Sequence, residues 1–494
     1  MTAVALILPL AGVALAALAP FERTFSLVLL SARMELEASG GLVLAVVALL
    51  WVAAAFRQAA DGWPDGRYRL AFPLVQAGSL GALVAGDAVT YYTCFSLMTL
   101  ASYALVDVGP RARWAAALYL GAALVGEMIL LAGLMMVADA SPHPLAPWLI
   151  LFGLGAKLGL VPFHVALAPA YAAAPPAGAA ILGGVLTTVA AVGWLRFLPA
   201  TGAPELAPPI VAVGFVTAFA GAGVGLFQRD GKALLAYSTV SQMGLLAVGA
   251  GLAMAGGWQA AAPMLLVFLL HHALAKSALL LGVDDAGGAP NRVVWAALLL
   301  VSLSLAGFPG TGGTVAKGGL EGLAGHDAPL AALWSASSLA TAALMGRFLL
   351  LARPGGAGRS WRAAWPALLA AGGALVLPWM IADPATVAAA WSPAKMAAHV
   401  WPAVLGAAIA ALQWRLLPGW WLPAGDLAAL LRPLIAAWRP PPRGAAPRPR
   451  RRLPALRSPA LDVGERILRS TPAFVLLLAG LSCGLFVLIA TARG

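Results

Sequence analysis

Ionisable residues are scarce in this sequence. Asp, Glu, Lys and Arg make up 10% of its 494 residues, and only 19 residues are acidic. Soluble domains carry about 25% charged residues, so a water-facing surface is excluded for most of the chain. Cysteine is scarcer still. Cys94 and Cys483 stand far apart in apolar runs, which excludes a disulfide framework and leaves both as small apolar fillers. No Cys-x-x-Cys pair, no P-loop and no Gly-x-Gly-x-x-Gly after a strand is present. The expectation is therefore a chain with no metal site, no catalytic redox centre and no cofactor of its own.

What is abundant is apolar surface. The hydrophobic fraction is 61% and the mean hydropathy +0.89. Windows of about 20 apolar residues recur from end to end, each long enough to cross a bilayer as a helix. Backbone groups in lipid must bond within their own segment, which selects helix over isolated strand. The reading is an all-α polytopic membrane protein of about 14–15 spans, from near 3–20 to near 472–491, with the run from Phe25 to Ala32 too brief for a span. The first apolar stretch lacks a basic leader, so it is expected to be a retained span and not a cleaved signal.

The net charge of +12 does not point to nucleic acid. Much of it lies between Arg432 and Arg469, separating two apolar segments, where basic runs fix topology or touch anionic lipid. Arginines also recur in every second loop: Arg57 to Arg69, Arg111 and Arg113, Arg229 and Lys232, Arg292, and Arg353 to Arg362. By the positive-inside rule these loops are cytoplasmic; Arg23, Arg33 and Arg196 are the exceptions. Residues 425–438 have apolar residues at helical spacing and are expected to lie along the membrane surface. The Pro/Arg-rich stretch after them reads as a linker. The resulting organisation is N-terminal spans in 1–69, one repeat in 70–227, a second in 228–353, further helices in 354–417, a cytoplasmic segment in 418–470 and a last span in 471–494.

A charge at the bilayer centre costs about 2.5–3.5 kcal/mol on insertion scales, so the few such residues are the candidates for function. They are Glu127, Lys157, His271, His272, Lys276 and Lys317; Arg347 lies near a span end and can snorkel. Lys157 precedes a helix-breaking proline, Pro162, and Lys317 follows one, Pro309. The mirrored order, on spans of opposite direction, is that of an inverted repeat with one broken helix per half. A desolvated lysine lining such a break is a plausible proton carrier. His272 and Lys276 are four residues apart and share a helix face, while His271 points about 100° away.

The motifs FGLGAKLGLVPFH, FQRDGKALLAYSTVSQMG, HHALAKSALLL and GFPGTGGTVAK, in this order over about residues 70–350, resemble the antiporter-like subunits. That superfamily includes proton-pumping membrane subunits of respiratory complex I, of membrane-bound hydrogenases and of multisubunit cation/proton antiporters. The resemblance implies two inverted five-helix repeats and a charged axis through Lys157, His272, Lys276 and Lys317. It also shows departures. In CFSLMTLASY, Ser96 stands where the family carries a glutamate that tunes the first lysine. Thr187 and Thr188 stand where an ionisable residue is frequent, and Gln242 where a histidine is. Glu127, one helix later, is the expected replacement partner of Lys157.

The function implied is a proton- or cation-translocating subunit of a larger ion-pumping complex in a bacterial inner membrane, with other membrane subunits as partners. It could belong to a redox-driven oxidoreductase without being its catalytic part. The alternatives are a non-conducting scaffold, favoured by the missing glutamate, and an energy-coupling subunit for uptake of a solute such as inorganic carbon.

Overall fold

The computed structural model describes residues 1–27, 30–137, 143–198, 204–284, 291–325, 327–354, 361–417, 421–426 and 428–429. The expected span 472–491, Cys483, the linker, the stretch from Arg432 to Arg469 and most of 425–438 lie outside them.

The chain opens with α1 (Thr2–Ala16) and an antiparallel hairpin, β1 (Phe21–Leu27) and β2 (Leu30–Leu36). The run thought too brief to span thus closes on itself, with Phe21 opposite Leu36 and Leu27 opposite Leu30. Helices follow: α2 (Ala38–Asp61), α3 (Gly66–Val84), α4 (Ala88–Ala101), α5 (Tyr103–Val106) and α6 (Arg113–Val137). Next come α7 (Ala146–Leu158), α8 (Leu167–Ala173), α9 (Pro176–Ala180) and α10 (Thr187–Phe197), the last two joined by a π-helical turn, Ile181–Leu186. The second half holds α11 (Ala207–Leu226), α12 (Gly231–Gly256), α13 (Trp258–Gly282), α14 (Arg292–Ala306) and α15 (Gly312–Gly322). It is followed by α16 (Ala328–Leu351), α17 (Trp361–Ile381), α18 (Pro384–Ala390) and α19 (Pro393–Leu416).

Among the described residues, eleven helical segments are long and apolar enough to cross a membrane, and α1 and α14 are shorter apolar helices. The count is lower than the 14–15 expected because α1 and α14 are short, α3 is long enough but not apolar enough, and the expected span 472–491 lies outside the described residues. The chain is a multi-pass helical membrane protein. The scarce aspartates stand at helix starts. Asp65, Asp87, Asp230, Asp327 and Asp383 each accept from a backbone N–H three residues on, satisfying donors that the first turn leaves unpaired.

Burial is graded. The apolar window of α12 is wholly enclosed and that of α13 nearly so, at 89%, whereas α6 and α19 bury only 33% of theirs. The interior pair therefore forms the axis, and the outer helices turn apolar faces such as Val125, Met128, Val404 and Leu412 outward.

Two of the exceptions to loop charge alternation are neutralised locally. Arg33 pairs with Glu22 at 3.0 Å across the hairpin and with Glu35 at 3.2 Å along its own strand. Arg196 donates to the carbonyls of Ala82, Leu83 and Ala85. It thereby satisfies the C-terminal carbonyls of α3 and opposes the negative end of that helix.

Both helices that carry the candidate lysines are broken. α7 ends on Gly159 at φ +77 and α14 on Gly307 at φ +84, left-handed positions that glycine alone adopts without strain. A proline follows each within three residues, so neither helix resumes directly. Lys157 lies in the last turn before the first break. Lys317 lies on α15, after the second. The order lysine–break, break–lysine is the mirrored order read from the sequence.

Candidate functional site

The first cluster lies between α4, α6 and the broken α7. The Ser96 hydroxyl donates to Glu127 Oε2 at 2.5 Å; Glu127 Oε1 is buried and has no hydrogen-bond partner. Lys157 Nζ donates to the Tyr119 hydroxyl at 2.6 Å. Tyr119 Oη lies 2.8 Å from Ser102 Oγ, and Ser102 donates to the Thr99 carbonyl at 2.6 Å. A hydroxyl has a single proton to give, so Ser102 accepts from Tyr119, and Tyr119 accepts from Lys157. The lysine thus heads a directed chain of hydrogen bonds. Glu127 and Lys157 make no direct ion pair, but both line one cavity with Phe95, Thr99, Tyr119 and Gly126. Its free space of about 20 Å³ admits roughly one water.

The centre of the site is α13. Lys276 is fully buried and donates to Ser238 Oγ at 2.5 Å and to the Leu235 carbonyl at 3.3 Å, both on α12. Its hydrogen-bond partners are neutral. His272, one turn earlier, is equally buried, and neither ring nitrogen has a hydrogen-bond partner. His271 turns elsewhere: Nε2 lies 2.8 Å from Ser304 Oγ, which also accepts from the Gly313 N–H at 2.9 Å. This histidine is therefore tied to both sides of the second break. Thr187 and Thr188 fold back onto the carbonyls of Gly183 and Gly184 at 2.8 and 2.6 Å, within the π-helical turn that packs on α13.

The third cluster surrounds Lys317, which is 3% exposed. It donates to Thr341 Oγ1 at 3.4 Å, and Gln242 donates to the same oxygen at 3.2 Å. A second cavity of similar size is lined by Lys317, Glu321, Trp334, Ser335, Ser338 and His399.

The structure therefore brings Ser96 and Glu127 together, places Lys157 on the same cavity, and strings Lys276, His271 and Lys317 along α13 and its neighbours. Sequence reasoning missed Tyr119, Ser238, Ser304, Thr341, Glu321 and His399. Hydroxyls at these positions carry no distinguishing local pattern. Glu321, four residues after Lys317 on α15, could have been found from that spacing. Also unforeseen is Asp426, whose Oδ2 lies 3.1 Å from His164 Nε2 and accepts from the Tyr237 hydroxyl at 3.2 Å. It fastens the start of segment 425–438 beside the first break.

Residues 142–344, which hold both breaks and Lys157, Lys276 and Lys317, match the family described as NADH:quinone oxidoreductase/Mrp antiporter, transmembrane part. The chain is similar to antiporter-like membrane subunits. It is 30% identical over 326 residues to NADH-quinone oxidoreductase subunit N of Desulforudis audaxviator, covering 56% of this chain and 64% of that one. It is 29% identical over 286 residues to hydrogenase-4 component B of Escherichia coli, covering 49% and 42%. The chain thus matches less than two thirds of the length of these relatives. Its fold is similar to a chain in the structure of the Mrp complex from a Dietzia species, with a TM-score of 0.68 at 22% identity over 83% of this chain and 93% of that one. It is also similar to a chain of respiratory complex I from Thermus thermophilus, with a TM-score of 0.64 at 21% identity over 83% and 100%.

Proposed function

We propose that this antiporter-like protein is a proton-translocating subunit of a larger membrane assembly in a bacterial inner membrane. Protons pass along Lys157, His272, Lys276 and Lys317, with Glu127 tuning the first lysine. One observation carries the reading: Lys276 is fully buried in a bilayer-spanning helix and hydrogen-bonds only to Ser238 and the Leu235 carbonyl. A cation in this setting is costly unless its proton can leave. It stands between two further lysines, each facing a water-sized cavity at a helix break. Neutral hydroxyl partners accept from either protonation state of an amine only weakly, so the proton is not trapped as it would be beside a carboxylate.

Two observations refine the axis. His271 is fastened to both sides of the second break, so it couples the central helix to the position of Lys317. Tyr119 extends the reach of Lys157 toward Ser102. The non-conducting scaffold stays the rival on one point: Thr187 and Thr188 are closed on local carbonyls and offer no titratable group between the first cavity and α13.

The test is the proton conductance of vesicles holding the intact assembly under an imposed pH gradient. Lys276→Ala is expected to lower it by about two orders of magnitude, the scale of a lost proton-transfer group. Unchanged conductance, with the assembly intact, would leave the scaffold reading standing.

A further inference from the structure

The second lysine needs a way out, and the region between Lys317 and the nearer membrane face holds titratable groups that the sequence motifs do not include. We propose that protons leave Lys317 through His399, Glu321 and Lys395, a relay formed by α15 and α19 that opens on the face bearing residues 323–325 and 382–392. This rests on the proton-translocating reading and extends it to an exit.

Four observations carry it. First, Lys317, Glu321 and His399 line one cavity with Ser335 and Ser338 of α16, and its free space of about 20 Å³ holds roughly one water. Second, the His399 ring presents its two nitrogens to different neighbours. Nε2 lies 3.8 Å from Glu321 Oε2. Nδ1 sits at the second break, where a Cβ on Gly307 would lie 3.6 Å from it and 3.3 Å from Lys317 Cδ. Third, Glu321 is held from outside by Lys395 Nζ at 3.0 Å. Fourth, exposure rises in one direction: Lys317 is 3% exposed, and the side chains of His399, Glu321 and Lys395 are 8%, 20% and 38% exposed. A surface ion pair alone contributes little to stability. A buried histidine bridging its carboxylate to an interior lysine is not accounted for by such a pair.

The chemistry follows from imidazole having one donor and one acceptor nitrogen when neutral. His399 gains a proton at Nδ1 from the Lys317 ammonium, across the cavity water, and loses the Nε2 proton to the Glu321 carboxylate. Glu321 then releases that proton to bulk water. One proton enters and one leaves, and the ring returns to its starting tautomer by rotation or by proton exchange with the cavity water. Lys395 Nζ, 3.0 Å from Glu321 Oε2, holds that carboxylate in place at the outer end of the relay. His399 and Lys395 lie outside residues 142–344, the segment matching the family, so this exit is supplied by a helix beyond that segment.

Conductance of vesicles holding the intact assembly tests the relay, together with Ser335→Cys in a chain carrying Cys94→Ser and Cys483→Ser. His399→Gln and Glu321→Gln are each expected to lower conductance by about tenfold or more, while Glu321→Asp, which keeps a carboxylate, retains most of it. Ser335→Cys is expected to react with a charged, membrane-impermeant methanethiosulfonate from the face bearing residues 382–392, and the reaction to block conductance. Full conductance in both His399→Gln and Glu321→Gln, where Lys317→Leu abolishes it, overturns the relay and leaves the proposed function intact. Full conductance in Lys317→Leu overturns both. If the glutamine variants fail to assemble, the cysteine decides. Reaction from the opposite face only, or none at all in a conducting assembly, overturns the exit.

Discussion

The Ser96 hydroxyl donates to the Glu127 carboxylate at 2.5 Å across the packing of α4 against α6. Resemblance to the antiporter-like superfamily places a glutamate at the position of Ser96. Here the serine keeps a hydrogen-bond donor there, and the carboxylate arrives from the neighbouring helix. Its second oxygen is buried with no hydrogen-bond partner among the described residues, and Glu127 lines the cavity that Lys157 also lines. We read this as a carboxylate relocated by one helix and not lost. On the proposed function, the first half of the axis then keeps its acid, on α6.

Tyr119 is the hydroxyl through which Lys157 reaches beyond that cavity. Tyr119→Phe removes one hydrogen bond to an ammonium and the link to Ser102, and leaves the ring packing in place. A hydrogen bond to a charged group is worth about 1.5–3 kcal/mol. Proton conductance is expected to fall by roughly ten- to a hundredfold, with no change in the amount of assembly recovered. Conductance equal to that of the unaltered protein would place Tyr119 outside the path.

Arg57 clamps two helices together. It is fully buried, donates to the Leu281 and Val283 carbonyls at the end of α13, and pairs with Asp61 at 2.7 Å. It thus pins α2 to the helix that carries Lys276. Arg57→Ala removes an ion pair to Asp61 and the donor to two carbonyls, a loss of about 3–5 kcal/mol. A clearly lowered Tm in detergent is expected; an unchanged Tm would show that the clamp contributes nothing.

Sidedness follows from the same accounting of arginines. Arg33 pairs with Glu22 and Arg196 bonds carbonyls of the α3 end, which leaves Arg23 among the exceptions to the alternation of loop arginines, and from that alternation Arg111 and Arg229 are expected on the cytoplasmic side. Single cysteines at positions 111 and 229 are expected to react with an impermeant reagent only in inverted vesicles. Reaction of either in intact cells would reverse the orientation.

Much of this was legible in the sequence, for physical reasons. Lipid demands long apolar helices, and breaks demand Gly159 and Gly307, so spans and broken helices leave local marks. A lysine amid apolar residues is equally visible. Partners are not, because they come from other helices. Tyr119 is 38 residues from Lys157, and His399 lies on a helix four elements after Lys317. Their residue types are common, and only packing brings them together. The hairpin at 21–36 escaped because its middle is as apolar as a short span. The charges at its ends, which pair across the strands, were the available signal. Arg196 likewise read as a loop charge until the end of α3 was found beneath it.

The most direct measurement is an exchange of the two residues with which the first cluster begins. Glu127→Gln is expected to lower proton conductance of the intact assembly by about tenfold or more, the scale of a lost proton-transfer partner. In the double variant Ser96→Glu, Glu127→Ser, the carboxylate moves back to α4 while the donor moves to α6. Because the two side chains already touch, this exchange keeps the donor–carboxylate pair at the same place, and conductance is expected to recover to within a few-fold of the unaltered protein. A double variant as inactive as Glu127→Gln, in a fully assembled complex, would contradict the relocation of the carboxylate. Full conductance in Glu127→Gln alone would contradict any role for it.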